Sequence, residues 1–327
     1  MVVAVDAAGG DYFPKNPIAG AILALNEDPS LQVLLVGPKD QVIAELETQE
    51  YDQNRIEVVD APQIIGMHDS PAAAVKSKRN SSIAVGIALH RAGKCHAFVS
   101  AGNTGALLAA STFILGKLEG VYRPTIATFY PTLVGFRLLV DAGANLEIKP
   151  EMAVQFAQMG QVYAEHVMGI DSPRVGLLNV GEEEEKGTEN LKAIHQALKV
   201  LPGFIGNVEG RDIFPAKADV FVTDGVVGNV LLKFGESIPT TLKQMVKGMA
   251  KKGLKAKLEL FIAQKVLKDS LQPFNYENVG GIPFLGVDGV SVVGHGGSSP
   301  LAIKNMIKGA VNCVNTDING KIVASLN

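Results

Sequence analysis

Residues 98–111 read FVSAGNTGALLAAS. An apolar, strand-like run ends at Ser100, two glycines, an Asn and a Thr follow, and an apolar, helix-like run begins. A tight polar turn between two buried elements is what a strand feeding a helix leaves at the carboxyl edge of an α/β sheet. The pattern recurs at six strand ends: VDAAGGD (5–11), SAGNTG (100–105), VDAGAN (140–145), NVGEEEEKG (179–187), TDGVVGN (223–229) and GHGGSS (294–299). In each, glycine permits a sharp turn and small polar side chains follow. The expectation is that all six converge on one edge of one sheet, where ligands of open α/β sheets bind.

Outward from these turns, apolar β-branched runs alternate with helical patterns. Strands are expected at 2–6, 32–36, 55–60, 96–100, 126–130, 136–141, 174–179, 204–208, 219–223 and 290–294. Helices are expected at 17–26, 38–48, 71–91, 104–115, 150–169, 188–200, 229–250, 254–271 and 300–314, with Pro17 and Pro150 in first turns that tolerate proline. Continuous apolar strands between helices predict an α/β chain, a three-layer α/β/α arrangement with a mostly parallel sheet covered on both faces. No linker or repeat divides it, so residues 1–327 read as one unit, undivided or in two lobes around a cleft, with a basic helical tip at 237–271.

Composition narrows the class. The chain has 327 residues, a net charge of −3, 47% hydrophobic residues, 35 glycines and no Trp. This is a compact, turn-rich composition with no global attraction to nucleic acid. Cys95 and Cys313 make no disulfide scaffold and suit a reducing compartment. The N-terminus opens directly as a strand, and the apolar run at 105–116 is too short to span a bilayer, so a cytoplasmic protein is expected.

What is missing narrows the chemistry further. No G-x-G-x-x-G, phosphate-loop, kinase or G-x-S-x-G motif occurs, and His68, His90, His96, His166, His195 and His295 have no metal-ligand spacing. No metal and no cofactor are expected. Helix N-termini after glycine turns present N–H groups and a positive dipole end to an anion. An anion site without an evident covalent nucleophile suits phosphate as the attacking group on an activated acyl carbon. Phosphate is already largely a dianion at neutral pH and needs holding more than deprotonation. The expected phosphate site is Ser100, Gly102, Asn103, Thr104 and Gly105, with Lys186 and Asn229 as further candidates.

Together the segments VDAAGGD, DSPAAAVKSKRNSS (69–82), VSAGNTGALLA, RVGLLNVGEEEEKG, FIGNVEGRD, VTDGVVGN and GHGGSS resemble the acyl-acyl-carrier-protein:phosphate acyltransferase family, the PlsX family of bacterial phospholipid synthesis, along nearly the whole chain. The resemblance implies transfer of a long acyl chain from acyl carrier protein to inorganic phosphate. It implies a fold similar to isocitrate and isopropylmalate dehydrogenases and to phosphotransacetylase. It also implies a homodimer and peripheral membrane contact beside a downstream glycerol-phosphate acyltransferase. The chain departs from the family pattern at Ala8, where Met is usual, at Gly297 and Ser299, where Ser and Asp are usual, and at Ala73 and Lys76, where Arg is common.

On this reading Lys186, Asn103 and His295 are the catalytic candidates. Lys186 follows four acids and neutralises phosphate or the developing oxyanion, unless the run is a solvated helix start. Asn103 and Thr104 serve as a helix cap, an anion site, or both. His295, inside a glycine-rich strand end, donates to substrate or to the leaving thiolate, or is structural. Asp6, Gly9, Gly10, Asp11, Asp141, Asp224 and Asn229 are the substrate-binding candidates, the acids alternatively closing glycine turns.

Residues 242–268 hold eight lysines and one acid, with apolar residues at helical spacing. Lys247, Lys251, Leu254, Leu258, Phe261 and Ile262 are therefore expected to contact a membrane surface or the acidic carrier protein, the alternative being a dimer-packing helix pair. Two rival functions remain: a short-chain phosphotransacetylase acting on coenzyme A thioesters, and a non-catalytic membrane scaffold. A decarboxylating dehydrogenase of related fold is more distant.

Overall fold

A computed structural model of the chain describes residues 1–250, 277 and 280–326. The N-terminal half alternates strand and helix: β1 (Val2–Asp6), α1 (Lys15–Glu27), β2 (Gln32–Gly37), α2 (Lys39–Leu46), β3 (Ile56–Asp60), α3 (Pro71–Ser77), α4 (Ser82–Arg91), β4 (Ala97–Ser100) and α5 (Thr104–Ala110). The centre holds the hairpin β5 (Thr125–Thr132) and β6 (Gly135–Val140), then α6 (Pro150–His166), β7 (Val175–Leu178), α7 (Glu189–Leu198), β8 (Phe204–Val208), β9 (Val220–Val222) and α8 (Gly225–Ala250). The chain then returns through β10 (Ile282–Leu285), β11 (Val290–Val293), α9 (Pro300–Asn315) and α10 (Ile318–Leu326).

Among the described residues one sheet contains all eleven strands, in the order β3-β2-β1-β4-β11-β10-β5-β6-β9-β7-β8. Strands β3, β2, β1, β4 and β11 run parallel to one another, as do β6, β9, β7 and β8. The three central pairings β11–β10, β10–β5 and β5–β6 are antiparallel. Three successive reversals set the two parallel blocks in opposite directions. The glycine turns therefore do not share one edge. Those after β1, β4 and β11 lie on one, and those after β6, β7 and β9 on the other. Strand direction depends on how the central hairpin pairs, which no local pattern encodes.

Both faces of each block are covered. On one face of the first block Val3, Val5, Val33, Leu35 and Val99 pack against Ile18 and Ile22 of α1 and Ile303 and Met306 of α9. The alternate residues Ala4, Leu34, Val36 and Phe98 face Ile83 and Ile87 of α4 and Leu107 of α5. The second block buries Leu138, Val140, Leu177 and Val220 under α6 and α7, and Leu139 and Phe221 on its other face. Parallel strands buried on both sides read as unbroken apolar runs, which is why they were legible.

Local differences have local causes. The helix expected at 71–91 is two, because Ser81 restarts the chain by accepting from the Ala84 N–H. The helix expected at 104–115 passes into a wider π turn at Ser111–Leu115. The helix expected from 229 begins at Gly225, and α10 was not expected. Strand β10 has no clear signature in the sequence because Pro283 interrupts a short run behind Gly280 and Gly281. The expected helix at 254–271, residues Lys251, Leu254, Leu258, Phe261 and Ile262, and the side chain of Lys247 lie outside the described residues.

Candidate active site

The first cluster forms where β1, β4 and β11 end. Asp6 is buried at the tip of β1; its Oδ1 accepts from the Ala8 N–H at 3.0 Å and its Oδ2 from the Ser100 hydroxyl at 2.5 Å. Ser100 Oγ in turn accepts from the Gly102 N–H at 3.0 Å. Burial pushes the Asp6 carboxyl above its usual range, and hydrogen bonds from Ser100 and Ser82 and from the turn amides pull it back. Gly9 is held against this pair: a Cβ there would lie 2.6 Å from Asp6 Oδ2 and 2.9 Å from the Gly102 nitrogen. The third turn joins through the Asp11 N–H, which donates to Gly296 O at 2.8 Å, and Gly10 lies against the same carbonyl. Asp6, Gly9, Gly10, Asp11, Ser100, Gly102 and His295 are thus brought together from chain positions far apart.

Asn103 caps α5, accepting from the Ala106 N–H at 3.0 Å. Its amide nitrogen lies within hydrogen-bond distance of three carbonyls, Gly66 at 3.1 Å and Met67 and Asp69 at 3.3 Å. Lys78 pins the same loop by donating to Ile64 O and Asp69 Oδ2. The Asn103 side chain, 7% exposed, therefore holds the 64–70 loop over the SAGNTG turn. Thr104 is exposed, and Gly105 lies against Pro71. His295 is exposed, and its Nδ1 accepts from the Gly297 N–H at 3.1 Å. Ser299 caps α9 by accepting from the Ala302 N–H, a role Asp fills equally well.

The second cluster forms where β6, β7 and β9 end. Asp141 is fully buried; Oδ1 accepts from the Gly143 and Ala144 N–H groups, and Oδ2 from the backbone and side-chain nitrogens of Asn145, all at 2.7–3.0 Å. Burial pushes this carboxyl up too, against those hydrogen bonds. Asp224 Oδ1 accepts from the Val226 and Val227 N–H groups at 2.9 Å and starts α8. Gly228 admits no side chain, since a Cβ would sit 1.8 Å from Asp141 O, and Asn229 lies beside Gly143. Lys186 is exposed and makes no ion pair with a described residue, whereas two of the acids before it are engaged: Glu182 pairs with Lys217 and Glu184 with Lys199. Helix α7 starts later, capped by Thr188. The structure does not bring Lys186, Asp141, Asp224 and Asn229 to the edge that carries Asn103 and His295.

One feature of this region has no motif in the sequence. Between β5, the β10–β11 corner and α8 lies a cleft of about 310 Å³, walled by Phe129, Tyr130, Phe136, Leu232, Pro239 and Ile282, with Gly294 and His295 on its border with the first cluster. Its walls come from three separated segments. Among the described residues no group of His, Cys, Asp and Glu is arranged to hold a metal ion, and no helix is long and apolar enough to cross a membrane.

Solved structures show the same fold at low identity. The EutD phosphotransacetylase from Staphylococcus aureus superposes with a TM-score of 0.60 over 96% of this chain and 94% of its own at 14% identity. A putative 4-hydroxythreonine-4-phosphate dehydrogenase from Salmonella typhimurium does so at 0.55, over 95% and 98%, at 12% identity. Closer in sequence, the phosphate acyltransferase of Chlorobaculum parvum is 46% identical over 100% of this chain and 99% of its own length. That of Heliobacterium modesticaldum is 48% identical over 94% and 92%. The family profile described as fatty acid synthesis protein matches residues 1–321. On these matches, which run essentially from end to end, the chain belongs to the fatty acid synthesis protein family, the PlsX phosphate acyltransferases its glycine turns resemble.

Proposed function

We propose that this chain carries out phosphate acyl transfer on long-chain acyl-acyl-carrier protein, yielding acyl phosphate and free carrier for phospholipid synthesis. A phosphate oxygen forms the new bond to the thioester carbonyl carbon, and the carbonyl oxygen becomes an oxyanion. Collapse re-forms the carbonyl, breaks the carbon–sulfur bond and releases the carrier thiolate, which takes up a proton. The site must hold a dianion and stabilise a second developing negative charge.

The observation that carries this reading is the interlocking of three glycine turns around the Asp6–Ser100 pair beside His295. The turn after β4 opens α5, and although the Gly102 and Ala106 amides are held by Ser100 and Asn103, the start of a helix is where an anion is best met. His295, exposed at the same edge, is the proposed donor to the oxyanion or the departing thiolate. Lys186 stands at the opposite edge of the sheet, after β7, so the proposed phosphate site after β1, β4 and β11 does not include its ammonium. Asn103 acts by holding the 64–70 loop rather than by touching phosphate.

Homodimer formation and peripheral membrane contact, with delivery to a downstream glycerol-phosphate acyltransferase, belong to the same proposal. Supporting a covered face, Leu133 (82%) and Val134 at the β5–β6 tip and Val230 and Phe234 on α8 are exposed apolar side chains. The test is to mix purified protein with palmitoyl-acyl-carrier protein with and without phosphate, measuring free carrier and hydroxylamine-trapped acyl phosphate. Phosphate-dependent formation of both is expected. Product from acetyl-coenzyme A alone would make it a short-chain phosphotransacetylase, and no product from either would leave a scaffold.

A further inference from the structure

We infer that the cleft beside His295 is the seat of the substrate's acyl chain and that Leu232, at its inner end, sets how long a chain is accepted. This rests on the acyl-transfer reading above and goes further by naming where the chain lies and what measures it.

Three observations converge. The walls are aromatic and aliphatic: Phe129 and Phe136 meet edge to face at 6.4 Å between ring centres, with Tyr130, Leu232, Pro239 and Ile282 completing the lining. The volume of about 310 Å³ has room for roughly ten methylenes or more, taking about 30 Å³ for each, the share of one liquid water. And the cleft shares Gly294 and His295 with the first cluster, so a chain seated there brings its carbonyl to the glycine turns. Both the polar and the apolar halves of an acyl thioester are then matched by adjoining surfaces.

The direction of entry follows from topology. Helix α8 leaves the edge of the second cluster and runs back toward the first, alongside β5. Leu232 therefore lies deep, with buried Thr128, and packs on the core of the first block. Exposed Thr240, the last α8 residue of the lining, lies toward the His295 edge and forms the mouth. Midway, Gly235 lets α8 approach Tyr130, whose hydroxyl a Cβ there would meet at 2.9 Å. The carbonyl thus sits at the mouth and the methyl end at Leu232.

The test measures kcat/KM for octanoyl, decanoyl, dodecanoyl and palmitoyl carrier protein with wild type, Leu232→Phe and Leu232→Ala. Wild-type efficiency should climb about fourfold per added methylene until the cleft is full, the equivalent of about 0.8 kcal/mol each. Leu232→Phe should move that ceiling to shorter chains and Leu232→Ala to longer ones, with cooperative thermal unfolding retained as the folding control. Because the chain contains no Trp, Thr240→Trp adds a lone fluorophore at the mouth, and a dibromostearate should quench it at saturating ligand. Acyl phosphate formed with an unmoved chain-length profile in both Leu232 variants would overturn the inference and leave the reaction intact. If no thioester reacts, the acyl-transfer reading falls, and quenching decides the cleft: quenching supports chain binding there, its absence overturns it. Indole emission that follows protein concentration and ignores the brominated chain would assign the cleft to a second copy of this chain and also overturn the inference.

Discussion

Replacing Asn103 by Ala removes two kinds of bond at once. The Ala106 N–H at the start of α5 loses its cap, which costs about 1 kcal/mol. The amide nitrogen also stops donating among the carbonyls of Gly66, Met67 and Asp69. It has two protons for three acceptors, so about two net hydrogen bonds are lost, roughly 2 kcal/mol. The total of about 3 kcal/mol sits below the 5–15 kcal/mol that typically separates folded from unfolded states, so the protein still folds. Asn103→Asp separates the contributions. A carboxylate caps as well as an amide, but it has nothing to donate and sets a charge beside three carbonyl oxygens. The expected order in denaturant unfolding is therefore wild type first, with both variants lower. Only Asn103→Asp keeps the cap, and it still releases the 64–70 loop.

The readouts are the unfolding midpoint, limited proteolysis within 64–70, and turnover on palmitoyl-acyl-carrier protein. Both variants should cleave faster in that loop and lose at least tenfold in turnover, about 1.4 kcal/mol of barrier. If Asn103→Asp keeps both the loop and the rate, the clamp is irrelevant. If Asn103→Ala is as stable as wild type, the cap-and-clamp geometry itself is refuted.

Lys186→Met should leave both turnover and thermal unfolding close to wild type, because the side chain is exposed, pairs with no described residue and stands at the edge opposite the proposed phosphate site; a tenfold loss of turnover would bring the second edge into the chemistry and overturn that site assignment. Gly228→Ala should destabilise by about 3 kcal/mol or more by forcing a methyl group onto Asp141 O, and a melting temperature equal to wild type would show that α8 does not press on that turn. Asp219 lies between Arg137 at 2.7 Å and Arg174 at 2.9 Å. Burial pushes its carboxyl up, but the bonds and charges of Arg174 and Arg137 hold it below the usual 3.8. A lowered folded-state value contributes stability present above the unfolded value and lost as pH falls through the folded one. Asp219→Asn should therefore be less stable than wild type near neutral pH, with the gap closing as pH drops below about 3.8; a gap constant with pH would exclude the ion pairs as its source.

The parts of the fold that could be read from the sequence are those in which each residue answers to its immediate neighbours. Residues 2–5 and 33–36, the bodies of β1 and β2, are apolar throughout because parallel strands are buried on both faces. The SAGNTG turn announces a strand, a cap and a helix within a few residues. Pro283 hid β10, and Ser81 split a helix whose apolar pattern ran through the break. At the site, the residues of each glycine turn were legible and their grouping was not. Grouping depends on the direction of β6, which is set by antiparallel pairing with β5 at Ala127–Val140 and, through β10, with the first block. The cleft was invisible for the same reason: Tyr130, Leu232 and Ile282 share no segment and no periodicity. Asp224 was legible as a turn residue, but its work as the start of α8 needs the two amides it accepts from.

The two edges also explain why acids stand where an anion is proposed to bind. Strands β1 and β6 both end in Val-Asp-Ala, and in both the Asp is buried and accepts from the backbone of its own turn. A bare carboxylate beside a phosphate dianion would repel it strongly at low dielectric. Here each carboxylate is turned inward and its charge is met by N–H and O–H donors, so it fixes the turn without facing the ligand. The difference lies in what closes over each. Asp141 is sealed by its own four bonds and by Gly228 of α8. Asp6 is tied instead to Ser100 of the neighbouring strand, whose hydroxyl holds the Gly102 amide, and the resulting turns border the apolar cleft. The same dipeptide logic thus yields a closed structural turn at one edge. At the other it yields a turn braced to its neighbour beside a cleft, and that edge is where phosphate and an acyl carbonyl can meet.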